Sequence, residues 1–251
     1  MTNILNLNVS VIDLDAAVLE VFRMASAGSG AYVCLSNVHM CMEVYDAVDF
    51  ENIVNSADLV LPDGRPLSWG LRFLGHKTAR QVRGLDMVNR VCEESIVKNL
   101  KIGFYGGSSE SLLETVKLNL LKSYPGLNIS YSYSPPFRPL TTLEDQEVIS
   151  EIKRSGVNIL FVGIGCPKQE RWMAEHKSEL PCVMLGVGAA FDFIAGRKKH
   201  APRWVQKIGF EWLFRLCCEP IRLWKRYLKQ NPRFVWHFLK QLIKHKLSLK
   251  S

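Results

Sequence analysis

Short apolar runs rich in β-branched and aromatic residues alternate along this chain with segments whose apolar positions recur every three or four residues. The first spacing marks buried strands and the second amphipathic helices. Residues 3–12 read as a strand. Asp13 then caps a helix with Leu14, Ala17, Val18, Val21 and Phe22 on one face, ended by Gly28-Ser29-Gly30. Further strands are predicted at 31–35, 58–61, 101–105, 127–133, 158–162 and 182–185. Helices fall between them: one through Met42 and Val44, then 66–74, 86–98, Ser108 or Ser109 to about Tyr124, 142–155 and 168–178. Strands separated by helices at this spacing need crossover connections and hence a mainly parallel sheet. The expected fold class is α/β, a Rossmann-like, mainly parallel sheet flanked by helices.

The pattern changes near residue 196. One α/β body is expected over residues 1–196 and a basic helical appendage over residues 197–251. Within 220–229, Ile221, Leu223, Trp224, Tyr227 and Leu228 interleave with Arg222, Lys225, Arg226 and Lys229. Pro232 is expected to start another helix, carrying Phe234, Val235, Phe238, Leu239, Leu242 and Ile243. The net charge of +8 is uneven. Residues 197–251 hold 15 Lys and Arg against Glu211 and Glu219, a net +13, whereas residues 1–196 hold 17 basic and 22 acidic side chains, a net −5. Such asymmetry points to a polyanionic partner, a membrane surface or a nucleic acid. Basic amphipathic helices with aromatic residues lie in lipid interfaces, so an anionic membrane is the expected partner. The alternative is an apolar face packed on the body or on a second copy in a homo-oligomer.

A hydrophobic content of 47% with 22% charged residues supports a sizeable core. No apolar run is long enough to span a membrane. The start, Met1 to Asn6, lacks the basic and apolar stretches of a secretory signal. Seven scattered cysteines read as reduced thiols, so a cytoplasmic location is expected. The six histidines form no metal-binding spacing, and Asp13-x-Asp15 reads as helix capping, so neither a metal nor a cofactor is expected.

In open α/β sheets ligands bind beyond the carboxyl ends of the strands, and the candidate chemistry gathers there. Asp63, in Leu61-Pro62-Asp63-Gly64-Arg65, follows a strand and precedes a helix. Its carboxylate could take a proton from an incoming hydroxyl or cap the helix. Gly106-Gly107, Gly163-x-Gly165 and Gly186-x-Gly188 end three strands. They read as a diphosphate cradle of backbone amides or as tight turns without a ligand. Lys168 and Gln169 open a helix whose N-terminus could hold an anion, or are simply solvated. Arg83 could neutralise a phosphate, and Asp192 could accept from a ribose or base or cap a short helix. The dinucleotide fingerprint is incomplete, because Gly163-Ile164-Gly165 runs into Cys166-Pro167-Lys168. A nucleotide-cofactor oxidoreductase stays open as an alternative, as does a non-enzymatic nucleic-acid module using the basic tail, although no helix-turn-helix, zinc or RNA-sheet signature accompanies it.

Taken in order, Ser36-Asn37-Val38-His39, Leu61-Pro62-Asp63-Gly64, Arg83-Gly84-x-Asp86, Gly106-Gly107, Gly163-x-Gly165-x-Pro167-Lys168-Gln169-Glu170, Gly186-Val187-Gly188 and Phe191-Asp192 resemble the WecG/TagA/CpsF family, glycosyltransferase family 26. Gly196, Ala201-Pro202, Glu211-Trp212, Arg215, Glu219-Pro220 and Arg222 continue the resemblance. It implies inverting, metal-independent transfer of a hexose or N-acetylhexosamine from a UDP-sugar. The acceptor would be a polyprenyl-diphosphate-linked saccharide in bacterial surface-polysaccharide assembly, on the cytoplasmic face of the inner membrane. It also implies Asp63 as general base, Asn37 in the sugar site and Gln169 near the donor diphosphate. Asp192, Gly106, Gly107, Gly163, Gly165, Gly186 and Gly188 would form the nucleotide edge, with Arg83 and Lys168 beside it. Arg215, Arg222 or Arg226 would reach the acceptor diphosphate. The chain departs from the family at Leu35-Ser36-Asn37, where many members have Thr-Pro-Asn; Ser36 is expected to supply the missing hydroxyl.

Overall fold

The computed structural model describes residues 1–248; residues 249–251 of the expected appendage lie outside the described residues. The chain opens with β1 (Thr2–Ile4) and β2 (Leu7–Val9), an antiparallel hairpin rather than the single strand expected over 3–12. Leu5 and Asn6 both take positive φ, 49° and 70°, the turn geometry that reverses a two-residue hairpin. Next come α1 (Leu14–Ala27), β3 (Ala31–Ser36), α2 (Val38–Asp46), α3 (Val48–Asn55), β4 (Leu59–Pro62), α4 (Arg65–Phe73) and α5 (Gly84–Val97). The second half continues with β5 (Ile102–Gly106), α6 (Glu110–Ser123), β6 (Ile129–Tyr133), α7 (Thr142–Ser155), β7 (Ile159–Gly163), α8 (Lys168–His176), β8 (Val183–Gly186) and α9 (Ala190–Ile194). Asp13 caps α1, accepting from the Ala16 amide at 3.0 Å, and Ser109 caps α6. The single helix expected through Met42 and Val44 is interrupted at Ala47, whose extended backbone (φ −140°, ψ 111°) separates α2 from α3.

Six parallel strands form one sheet in the order β4-β3-β8-β7-β5-β6. Strand side chains alternate between two cores, as a pleat requires. Tyr32, Cys34, Leu160, Val162 and Met184 face a layer that includes α2, α3, α4, α7 and α8. Val33, Leu35, Ile159, Phe161 and Leu185 face α1, α5, α6 and α9. With both faces covered, the strands read as continuous apolar runs. Neighbouring strands β3 and β8 send their following helices to opposite faces, α2 to one and α9 to the other. This is the topological switch point of a doubly wound sheet, where a crevice opens beyond the strand ends.

After the body come α10 (Arg203–Ile208), α11 (Glu211–Cys218) and α12 (Pro220–Ser248). Pro232 lies inside α12, so the two tail helices expected around it are one helix of 29 residues. A proline in a helix interior costs about 3 kcal/mol, and contacts on both sides of it offset that cost. Gln230 Nε2 donates to Glu43 Oε1 at 3.2 Å, and both amino groups of Arg233 bond the Asp46 carboxylate at 2.6 and 2.9 Å. Farther along, Gln241 accepts from the Leu5 amide at 3.1 Å and donates to the Asn3 carbonyl at 2.9 Å. Phe234 and Phe238 enter the core shared with β1, α2 and α4. The other side of the helix leaves Ile221, Leu228, Trp236, Ile243 and Leu247 exposed.

Phe234→Ala should therefore destabilise the whole protein by about 3–5 kcal/mol, measured by urea unfolding. A midpoint equal to that of the parent chain would mean that α12 does not share the body's core.

Candidate functional site

A cavity of about 1440 Å³ opens at the crevice between β3 and β8 and runs outward beneath α11 and α12. Asn37, Asp63, Arg83, Gly165, Gln169, Gly186 and Gly188 from the body line it, together with Arg215, Arg222 and Arg226 from the appendage. These sequence-identified residues are thus brought together. Gly106, Gly107, Gly163, Lys168 and Asp192 do not line it.

Those five have local structural accounts. A Cβ on Gly163 would stand 2.5 Å from the Phe191 ring, and one on Gly106 would meet the Gly163 backbone at 2.5 Å. Glycine is required at both by close packing, whatever binds nearby. Gly107, at φ +82°, donates its amide to the Gly163 carbonyl at 3.0 Å. Lys168 is exposed, and Asp192 pairs with Lys198 at 2.7 Å. Gly186 does line the cavity, but it too serves packing: a Cβ there would lie 2.8 Å from Gln169 Nε2 and from the Met173 methyl.

Asp63 follows β4, with its amide bound to the Ser36 carbonyl at 2.8 Å. It does not cap α4, whose N-cap is Gly64. Its Oδ1 accepts from the Gly84 amide at 3.1 Å, at the start of α5, and its backbone carbonyl accepts from Gln81. Oδ2 has no hydrogen-bond partner among the described residues. Burial pushes this carboxyl up to about 6, helped by Glu211 and opposed by the Gly84 amide, Arg215 and Arg83. At neutral pH it is ionised yet close to its midpoint, the condition a general base needs.

Asn37 caps α2: its Oδ1 accepts from the amides of His39 and Met40 at 3.0 and 3.3 Å. Gln169 is held at both ends of its amide. Oε1 accepts from the Gly165 amide at 3.2 Å, and Nε2 donates to Glu170 Oε1 at 2.7 Å. Glu170 is fully buried, and its Oε2 has no partner among the described residues. Desolvation raises its carboxyl to about 7, against the lowering effect of the Gln169 and Cys166 hydrogen bonds.

Ser36 does not supply the expected hydroxyl. It is fully buried, and its Oγ donates to Met40 Sδ at 2.8 Å, because the alternation of β3 turns this side chain from the cavity. Leu35 forms that part of the wall.

Cations dominate the opposite wall. Arg83 Nη1 donates to Gln206 Oε1 at 2.5 Å, and its Nε lies 3.8 Å from Glu211 Oε2. Arg65, which the motif reading passed over, also lines the cavity, and burial together with Arg83 and Arg72 lowers its pKa. The Nε groups of Arg65, Arg215 and Arg226 are buried without a hydrogen-bond partner among the described residues. His39 lies in the same wall, held near 4 by burial and by Arg226, and so neutral. The missed residues carried a signal: Arg65 closes the Asp-Gly-Arg turn itself, and Glu170 sits beside Gln169 on the buried side of α8.

A family model, the glycosyl transferase WecG/TagA/CpsF family, matches residues 2–248. The chain belongs to this family. It is a glycosyltransferase, which replaces the oxidoreductase and nucleic-acid readings. Among curated relatives, an N-acetylglucosaminyldiphosphoundecaprenol N-acetyl-beta-D-mannosaminyltransferase of Bacillus spizizenii is 28% identical over 212 residues, 84% of this chain and 79% of the relative. A protein of the same name from Staphylococcus aureus is 30% identical over 191 residues, 75% of this chain and 71% of the relative.

The fate of Glu170 is testable through stability. Its folded pKa lies above the unfolded value of 4.5, so its contribution is complete below 4.5 and is lost as pH rises through about 7. Between pH 5 and 8 Glu170→Gln should gain on the parent chain by on the order of 2–3 kcal/mol, read from denaturant unfolding at each pH. A stability difference that stays constant across this range would contradict the buried, protonatable carboxyl.

Proposed function

We propose that the protein moves a hexose or N-acetylhexosamine from a UDP-sugar to a polyprenyl-diphosphate-linked saccharide, with inversion and without a required divalent cation. The observation that carries this reading is the meeting, across a single cavity, of one near-neutral carboxylate with arginines whose buried Nε groups have no acceptor among the described residues. A buried N–H donor without an acceptor is costly, and an arriving diphosphate supplies acceptor oxygens. The relatives' names specify a diphosphate-linked polyprenol acceptor, which such a wall suits.

In this mechanism Asp63 Oδ2 accepts the proton of the acceptor hydroxyl as that oxygen bonds to the anomeric carbon. The bond from the anomeric carbon to the donor phosphate breaks on the opposite face, and its electron pair leaves with UDP. Arg83, the Gly165 and Gly188 turns and the fixed amide of Gln169 stand beside the donor diphosphate, and Arg215, Arg222 and Arg226 beside that of the acceptor. Asn37 orients the transferred sugar. Such pre-aimed groups stabilise developing charge by several kcal/mol each. Lys168 and Asp192 lie off the cavity lining.

Asp63→Asn should retain UDP binding and lose about 10²–10⁴-fold in kcat. The parent kcat/KM should fall tenfold per pH unit below about 6, as the carboxyl protonates. Full activity in the variant, or a rate independent of pH between 5 and 7, would rule out the base assignment.

The appendage is also the proposed membrane contact, on the cytoplasmic face of the membrane. No described helix is long and apolar enough to cross a bilayer. The exposed Trp224, Trp236 and Ile243 lie among Lys225, Lys229, Lys240 and Lys244 on α12. Each Lys or Arg near an anionic surface adds about 1 kcal/mol. Replacing Trp224, Trp236 and Ile243 together by Glu should weaken binding to phosphatidylglycerol vesicles at least about tenfold without unfolding the chain. Unchanged sedimentation with vesicles would remove the membrane contact.

A further inference from the structure

The cavity is not polar throughout. Beyond the arginines it continues as a furrow between α4 and α12, floored by Gly70 and Phe238 and flanked by Trp69, Phe73, Val235 and Leu239. We propose that this furrow binds the first isoprene units of the acceptor's polyprenyl chain, next to its diphosphate. The assignment rests on the proposed acceptor class.

Three observations select this occupant. First, the furrow is continuous with the arginine wall, so one cavity is cationic at one end and apolar at the other. A molecule matching both ends carries an anionic head on a long hydrocarbon. A sugar nucleotide or a free oligosaccharide has no group for the apolar end.

Second, the apolar flanks are open. Trp69, against whose ring the Gly209 turn packs, is still 38% exposed, and Val235 and Leu239 are 53% and 49% exposed. Contiguous exposed apolar surface of this kind marks a binding site. At 100° per residue, Val235 and Leu239 stand on α12 between the furrow-facing Phe238 and Leu242 and the outward Trp236 and Ile243. A hydrocarbon chain leaving the furrow sideways therefore passes onto the exposed apolar face of the same helix, the face proposed to meet lipid.

Third, Gly70 lets the Phe238 ring seat close against α4 as an apolar floor. A Cβ there would meet the Phe238 ring at 3.3 Å and Ile4 Cδ1 at 3.1 Å.

Water-soluble prenyl diphosphates test the furrow with the full chain and no membrane. Titration calorimetry compares inorganic diphosphate with geranyl, farnesyl and geranylgeranyl diphosphates. Affinity should rise by about tenfold for each isoprene unit added until the furrow is filled, since each unit buries several carbons. The double variant Val235→Asp with Leu239→Asp changes only exposed positions. It should abolish this chain-length dependence while leaving inorganic diphosphate affinity unchanged.

Equal affinity for all four ligands, or a dependence that survives in the double variant, would overturn the furrow. So would a dimer in sedimentation velocity that the double variant dissociates, since a second copy would then be the occupant. The two proposals fail separately. Sugar transfer from UDP-sugar that is indifferent to prenyl length leaves the function standing and removes the furrow. Chain-length-dependent binding with no sugar transfer to any polyprenyl-diphosphate acceptor keeps the furrow and removes the function.

Discussion

Arg65, Arg215 and Arg226 each bury an Nε–H group with no acceptor among the described residues around the same cavity, and their positive charge acts on the groups beside it. With Arg83, Arg215 holds down a carboxyl that burial alone would push higher, so Asp63 is ionised near neutrality. With burial, Arg226 keeps His39 neutral, which prevents a further cation from forming in the wall. Arg222 and Arg226 join this wall through the docking of α12 on α2. The Arg233–Asp46 and Gln230–Glu43 contacts set the helix in place, and the arginines one and two turns before them reach over the switch point as a consequence. Stability at the C-terminus and electrostatics at the sheet edge are one arrangement.

Under the proposed function, the same docking lets a single chain serve two phases. The body presents polar chemistry at the ends of β3, β4, β7 and β8, as doubly wound sheets do. The appendage contributes cations on one side of α12 and an apolar stripe on another. A lipid-linked acceptor has the same division, polar where it reacts and apolar where it is anchored. Gln169 illustrates how little freedom the reacting end retains. Its amide is fixed between Gly165 and Glu170, and Gly186 has no side chain because Gln169 occupies that space.

Most of the α/β order was legible because parallel strands buried on both faces read as unbroken apolar runs, and the helices between them kept a clear period. The failures have physical causes. Leu5 and Asn6 make a positive-φ turn without glycine, so nothing in the apolar pattern announced the hairpin. Pro232 ordinarily starts or breaks a helix, and only tertiary anchors on both sides carry α12 through it. At the site, Asp63, Asn37, Gln169 and the tail arginines were visible as polar residues at strand ends or in a basic tail. Of the two readings of the strand-end glycines, Gly106 and Gly163 have a packing account: they answer to a neighbouring backbone and to the Phe191 ring, a demand that only coordinates reveal. Glu170 and Arg65 stood beside residues already singled out, but burial, which gives them their chemistry, has no sequence mark.

The coupling between the carboxylate and the arginine wall is measured most directly by titrating Asp63 itself, through carboxyl carbon NMR shifts, with and without UDP. The account predicts a midpoint near 6 in the free protein. UDP should move it upward, because the bound diphosphate neutralises the guanidiniums that hold it down. A midpoint in the ordinary carboxylate range that stays put when UDP binds would contradict the account.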